Sequence, residues 1–175
     1  WADLDPLKRT ERPNIPDLDP AFFGFTDADQ ETVFDTSNTF FGKNNMSLRE
    51  LLNALRETYC GTIGAEYMYT TEQAEKRWWQ QKLESIRSKP NFTAEKKKQI
   101  LDRLTAAEGL ERYLHTKYVG QKRFSLEGGE SFIAAMDELI QSAGAQGVQE
   151  VVIGMAHRGR LNVLVNTMGK RPADL

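Results

Sequence analysis

Cysteine is almost missing from this chain, with Cys60 its one representative in 175 residues. A single thiol excludes an internal disulfide framework and a multi-cysteine zinc site, and it fits a reducing compartment. No run approaches the roughly 20 apolar residues that a membrane span needs. The opening Trp1-Ala2-Asp3-Leu4-Asp5-Pro6 has neither the basic nor the apolar segment of a secretory signal, so neither secretion nor a membrane location is expected. Excess charge is lacking as well: 23 Lys and Arg against 25 Asp and Glu leave a net charge of −2. Without a broad basic field, nucleic acid is excluded as an expected partner, although a single site can still be locally basic. Proline is scarce beyond residue 20, since four of the six (Pro6, Pro13, Pro16, Pro20) precede it. The first 40 residues therefore read as an extended arm, tacked down by Phe22, Phe23, Phe25, Phe34, Phe40 and Phe41.

What is present is a hydrophobic fraction of 39%, enough for a core. Within the arm, residues 27–34 are predicted as a short helix capped by Thr26. Residues 41–118 read as a helical region. Ser47-Leu48-Arg49-Glu50 forms a capping box, and Leu48, Leu51, Leu52, Leu55 and Tyr59 recur at helical spacing until Gly61. Cys60, with no histidine near it in sequence, is read as a small buried side chain rather than a catalytic thiol. A second helix is expected from Glu72 to about Arg87, capped by Thr70 or Thr71, and it carries Trp78 and Trp79, which cannot both face one core. Another starts at Thr93, with Thr105-Ala106-Ala107-Glu108 capping a continuation through Leu114. The Lys96-Lys97-Lys98 run reads as a solvated face, and His115 as a surface group near the helix end.

From residue 119 the pattern changes. A polar entry, Gln121 to Glu130, leads into an amphipathic helix bearing Phe132, Ile133, Met136, Leu139 and Ile140. Val151-Val152-Ile153-Gly154-Met155 then reads as a buried strand, Ala156-His157-Arg158-Gly159 as a tight turn, and Arg160 to Met168 as a helix. Helix, strand, turn and helix open an α/β domain, so residues 119–175 are predicted as its start. A strand apolar on both faces needs neighbours on each side, and Tyr118-Val119 is the only other β-like stretch identified, so the chain is expected to be part of a longer protein. The turn would lie at the carboxyl end of the strand and the start of the helix. Free amides and two guanidiniums there favour an anion.

Two stretches carry a family likeness. Lys122-Arg123-Phe124-Ser125-Leu126-Glu127-Gly128-Gly129-Glu130, followed by Gly154-Met155-Ala156-His157-Arg158-Gly159-Arg160-Leu161-Asn162-Val163-Leu164, closely resembles the thiamine-diphosphate-dependent decarboxylases of 2-oxoglutarate dehydrogenase complexes. Leu4-Asp5-Pro6-Leu7, Tyr59-Cys60-Gly61-Thr62-Ile63-Gly64-Ala65-Glu66-Tyr67-Met68 and Lys76-Arg77-Trp78 share the likeness, which covers nearly the whole chain. The resemblance implies an α/β fold entered through a mainly helical N-terminal region. It also implies a homodimer using thiamine diphosphate and Mg2+, which decarboxylates 2-oxoglutarate in the tricarboxylic acid cycle. The partners it implies are a dihydrolipoyl succinyltransferase, which receives the succinyl group, and a dihydrolipoyl dehydrogenase. The location would be bacterial cytoplasm or mitochondrial matrix.

The same resemblance implies a catalytic and substrate-binding role for His157, and cofactor and substrate binding for Arg158. A guanidinium fork suits diphosphate or carboxylate oxygens, and an imidazole with an ordinary pKa of about 6.5 suits hydrogen bonding and proton transfer at neutral pH. Arg160 and Asn162 fit pairing with neighbouring acids as well as ligand contact, and Lys122, Arg123 and Glu127 read as structural members of the motif. The family's Gly-Asp-Gly and Asn metal segment is not in the sequence, so no metal ligands are assigned and this piece alone is expected to be inactive. Two other readings stay open. One is a thiamine-diphosphate decarboxylase for another oxoacid such as pyruvate; the other is a helical interaction module using Trp78, Trp79 and the aromatic arm.

Overall fold

A computed structural model describes residues 2–174; Trp1 and Leu175, the outermost residues of the expected arm and α/β domain, lie outside them. The chain divides into two units, Trp1–Asn91 and Phe92–Leu175. The helix expected to close the helical region thus shares a unit with the elements that follow residue 119. Among the described residues no helix is long and apolar enough to cross a membrane.

In the first unit the proline-rich arm forms short 3₁₀ turns at Pro16–Leu18, Pro20–Phe23 and Asp27–Glu31. Thr26 donates through its backbone N–H and its hydroxyl to Asp29 Oδ2, at 2.7 and 2.8 Å, which fixes the start of the last turn. That turn stops at Glu31, short of the predicted limit, because Val33 and Phe34 join a strand. Strand β1 (Val33–Asp35) pairs antiparallel with β2 (Asn45–Ser47) in the register Val33 to Ser47, Phe34 to Met46 and Asp35 to Asn45. Helix α1 (Leu48–Tyr59) follows at once. Its capping box is formed, with Ser47 Oγ accepting from Glu50 N at 3.2 Å and Glu50 accepting from Ser47 N at 3.1 Å.

Met46, Phe41 and Ala54 form the core here, with Leu51 packed on it. The aromatic set divides. Phe25 and Phe34 meet edge to face at 5.9 Å, while Phe22 and Phe23 are exposed and touch each other. Cys60 is exposed rather than buried, because it caps the end of α1 one residue beyond the face that buries Ala54 and Thr58. Helix α2 (Gln73–Glu84) is preceded by Glu72, which supplies no side-chain cap, in place of the predicted Thr70 or Thr71. It ends before Arg87 and Ser88, whose φ of 50° is incompatible with a continuing right-handed helix. Trp78 and Trp79 are both part-exposed and meet edge to face at 4.8 Å.

In the second unit α3 (Ala94–Lys117) runs unbroken for 24 residues from a Thr93 cap. Thr105 does not start a new helix, since its hydroxyl donates back to Leu101 O at 2.8 Å. Helix α4 (Ser131–Ala145) packs on α3 and buries Ile133 and Met136. The two are tied by an ion pair between Lys96 and Glu138 and by Gln99 Nε2 donating to Asp137 Oδ2 at 2.8 Å. The middle lysine run is thus solvated only in part. Ala107, Leu126, Ile133 and Val163 make the core, with Met155 against it.

Residues 151–155 form no strand, contrary to their composition, and Val152 is 95% exposed. Among the described residues of this unit there is no second strand to pair with them, and an unpaired segment leaves its backbone groups to water. Tyr118 and Val119 are not a strand either; Tyr118 ends α3. The described residues are therefore mainly helical, with β1 and β2 their one small sheet.

Candidate functional site

The two motif stretches, separated by the whole of α4, meet in space. Gly159 N donates to Phe124 O at 2.6 Å, and Arg158 Nη2 donates to Glu127 O at 2.6 Å. The contact works because Gly159 sits at φ 74°, and a Cβ there would lie 2.6 Å from Leu126 Cδ1. A side chain at this position would meet both a disfavoured backbone conformation and a buried leucine. Leu126 is in turn fixed by the turn that follows it, where Gly129 N donates to Leu126 O at 2.7 Å and Gly128 N to Glu130 Oε1 at 3.0 Å.

His157 is exposed on this corner. Its ring lies against the Phe124 ring, with centroids 4.9 Å apart and planes inclined by 26°. Among the described residues neither of its ring nitrogens has a hydrogen-bond partner, so both are available to a ligand. Arg158 is also exposed and has committed one N–H of its five, to Glu127 O. The Arg160 guanidinium stands 5.7 Å from the Phe124 ring centroid, so imidazole and guanidinium share one aromatic platform. Phe124 itself adopts φ 50°, a left-handed conformation that costs a non-glycine residue on the order of 1 kcal/mol.

The helix after the turn differs from expectation. Helix α5 is only Arg160–Asn162 and passes directly into a wider π-helical turn, Val163–Thr167, in which Met168 N bonds Val163 O at 3.0 Å. Gly159 N is taken by Phe124 O and Arg160 N by His157 O at 3.0 Å. Two of the amides at the turn, those of Gly159 and Arg160, are therefore occupied, and the side chains of His157, Arg158 and Arg160 stand beside them. Beside Arg160 lies a cleft of about 490 Å³ lined by Ile153, Met155, Val163 and Leu164; His157 and Arg158 do not line it.

Asn162 takes a role that sequence reasoning left open. It is 0% exposed and donates through Nδ2 to Ala107 O and Glu111 Oε1, both at 2.9 Å, while its Oδ1 accepts from Asn166 Nδ2 at 2.7 Å. It pins α5 to α3 and does not face a ligand. The available signal was an amide placed inside the apolar run Leu161 to Val165. His115 accepts at Nδ1 from Arg123 Nη2 at 2.9 Å, which puts its own proton on Nε2 and makes Arg123 structural.

A second cluster, in the first unit, was not legible in the sequence. Glu84, 3% exposed, accepts from Phe40 N at 2.8 Å and from the Tyr59 hydroxyl at 2.9 Å; Tyr67 donates in turn to Tyr59 at 2.9 Å. Burial first, then the bonds to Tyr67 and Glu84, push the Tyr59 hydroxyl far above its ordinary pKa of 10.0, so it stays protonated. Nearby, Arg77 donates to Asn38 O at 2.7 Å and covers the Phe40 ring. These groups satisfy one another and join α1, α2 and the loop before β2. Among the described residues no group of three or more His, Cys, Asp or Glu side chains could hold a metal ion.

No family model matches the chain. Over its whole length it is 80% identical to a protein of Cupriavidus necator named 2-oxoglutarate dehydrogenase E1 component, and covers 18% of that protein. Proteins of the same name from Azotobacter vinelandii and Haemophilus influenzae are 52% and 48% identical over 99% of the chain, which covers 18% and 19% of them. The chain thus spans less than a fifth of the length of these relatives.

Proposed function

We infer that the chain belongs to the family of 2-oxoglutarate dehydrogenase E1 components. The complete protein then decarboxylates 2-oxoglutarate oxidatively with thiamine diphosphate and passes the succinyl group to a lipoyl-bearing acyltransferase. The observation that carries this reading is the 80% identity over all 175 residues. The His157 and Arg158 corner supports it chemically, because it offers unspent donors to anionic oxygens at the surface of the second unit.

Thiamine diphosphate, when bound, supplies the nucleophilic carbon and the electron sink for decarboxylation. The chain's part is to bind and orient. Arg158, held by Glu127 O, presents its remaining N–H groups to a diphosphate or carboxylate oxygen. The His157 imidazole hydrogen-bonds the substrate or its developing oxyanion and moves a proton there. Residues 119–175 open the cofactor-binding domain, and the Mg2+ ligands come from elsewhere in the protein. A homodimer working with dihydrolipoyl succinyltransferase and dihydrolipoyl dehydrogenase in the cytoplasm completes the proposal. Neither a pyruvate enzyme nor an interaction module is favoured, since the relatives carry the 2-oxoglutarate name.

Assaying the complete protein with 2-oxoglutarate and with pyruvate, with and without thiamine diphosphate, tests this. A preference for 2-oxoglutarate of at least about 100-fold in kcat/KM, dependent on the cofactor, is expected. A preference for pyruvate would refute the substrate assignment.

A further inference from the structure

The His157 ring is oriented in an unusual way for a group assigned to proton transfer. Among the described residues no hydrogen bond fixes its rotation, and the contact that defines its plane is the stack on Phe124. We propose that Phe124 is a positioning residue, whose ring sets the plane of the His157 imidazole and seats the Arg160 guanidinium beside it.

This rests on the reading of His157 as the ligand-facing group, and it explains why the ring is held by an aromatic face. An imidazole that must meet an oxygen on a ligand has to be oriented in advance, because loose catalytic groups lose their advantage steeply with misplacement. Orientation by a hydrogen bond would consume one of its two nitrogens. A stacked ring restricts the imidazole plane and leaves both nitrogens to the reaction.

Phe124 is itself built to serve as a fixed support. Its carbonyl holds Gly159 N at 2.6 Å, so the platform and the turn are locked through the backbone. Two residues on, Leu126 is buried beneath Gly159. The Phe124 φ of 50° is a conformation that an unconstrained phenylalanine avoids, and it persists here at the residue on which the exposed histidine rests. Arg160, 5.7 Å from the same ring, gains a defined place next to His157. An aliphatic residue of similar volume would fill the space without fixing a ring plane.

The experiment is a mutant cycle in the complete protein, read as kcat/KM for thiamine-diphosphate-dependent decarboxylation of 2-oxoglutarate. Phe124→Leu and Phe124→Tyr are compared alone and combined with His157→Ala, with Phe124→Met as a second aliphatic replacement in case Phe124→Leu does not fold. The aliphatic variants are expected to lose about tenfold, Phe124→Tyr to stay within about twofold of wild type, and an aliphatic change to cost under about twofold once His157 is gone. Full activity in the aliphatic variants, the same tenfold loss in the His157→Ala background, or a Phe124→Tyr protein as slow as Phe124→Leu would each overturn the proposal while leaving the function of the complete protein standing. A His157→Ala protein at the full rate would overturn the site reading, and the platform with it.

Discussion

Glu84 in the first unit and Arg158 in the second are both charged groups braced by nearby backbone, yet they are spent very differently. Glu84 is buried and engages Phe40 N, Tyr59 and, through Tyr59, Tyr67. Arg158 is exposed and uses one N–H on Glu127 O, while its neighbour His157 rests on an aromatic face with both nitrogens unbonded among the described residues. A closed network of this kind holds elements together, because each member's desolvation is compensated by another member. A corner whose backbone is locked and whose polar tips are left open is arranged to take its partners from outside. Burial and saturation, more than residue type, separate the structural cluster from the candidate site.

That contrast can be broken by mutation. Glu84→Ala has the largest expected effect: it leaves the Tyr59 hydroxyl and Phe40 N without an acceptor and should ease local opening of α1 and α2 by roughly 3 kcal/mol. Hydrogen exchange in those helices measures it, with turnover of 2-oxoglutarate within about twofold of wild type. An unchanged exchange rate, or a selective loss of turnover, would erase the distinction. Arg158→Ala should do the reverse, weakening binding of thiamine diphosphate or 2-oxoglutarate roughly ten- to a hundredfold with the melting temperature preserved. Titration of the cofactor and the KM for substrate together report which ligand it meets.

Gly159→Ala tests the locked backbone. With φ at 74° and Leu126 Cδ1 2.6 Å from the new methyl, it should cost about 1 to 2 kcal/mol and misplace His157, lowering both the thermal midpoint and the rate. The smallest effect belongs to the capping box. The Lys43 ammonium, then the Ser47 N–H, hold the Glu50 carboxyl below its ordinary 4.5. A carboxyl lowered in the folded state contributes stability above its unfolded pKa, and that contribution is lost as pH falls through the folded value. Glu50→Gln should therefore flatten the acid side of the stability curve below about pH 4.5, which melting curves across that range would detect.

Much of the local architecture was readable because it is written in near neighbours. The capping box of α1, the Thr93 cap of α3 and the periodic apolar face of α4 all appear where spacing places them. Elements decided by distant partners were not. Strands β1 and β2, three residues each, carry too short a pattern to register. Residues 151–155 have the composition of a buried strand without a pairing partner among the described residues of their unit. Glu84 lies among Gln80, Gln81 and Lys82, a polar run that gives no hint of burial. At the site the sequence singled out His157 and Arg158, and the structure brings them together with Phe124 and Arg160. The left-handed backbone of Phe124 and the occupied amides of Gly159 and Arg160 are tertiary facts that no residue type announces.

The most direct test replaces His157 by Ala in the complete protein and follows thiamine-diphosphate-dependent decarboxylation of 2-oxoglutarate beside thermal unfolding. The kcat/KM is expected to fall at least about 100-fold while the melting temperature moves by no more than about 2 °C, because the ring is exposed and, among the described residues, hydrogen-bonded to nothing. A variant that melts normally and turns over at the wild-type rate would contradict it.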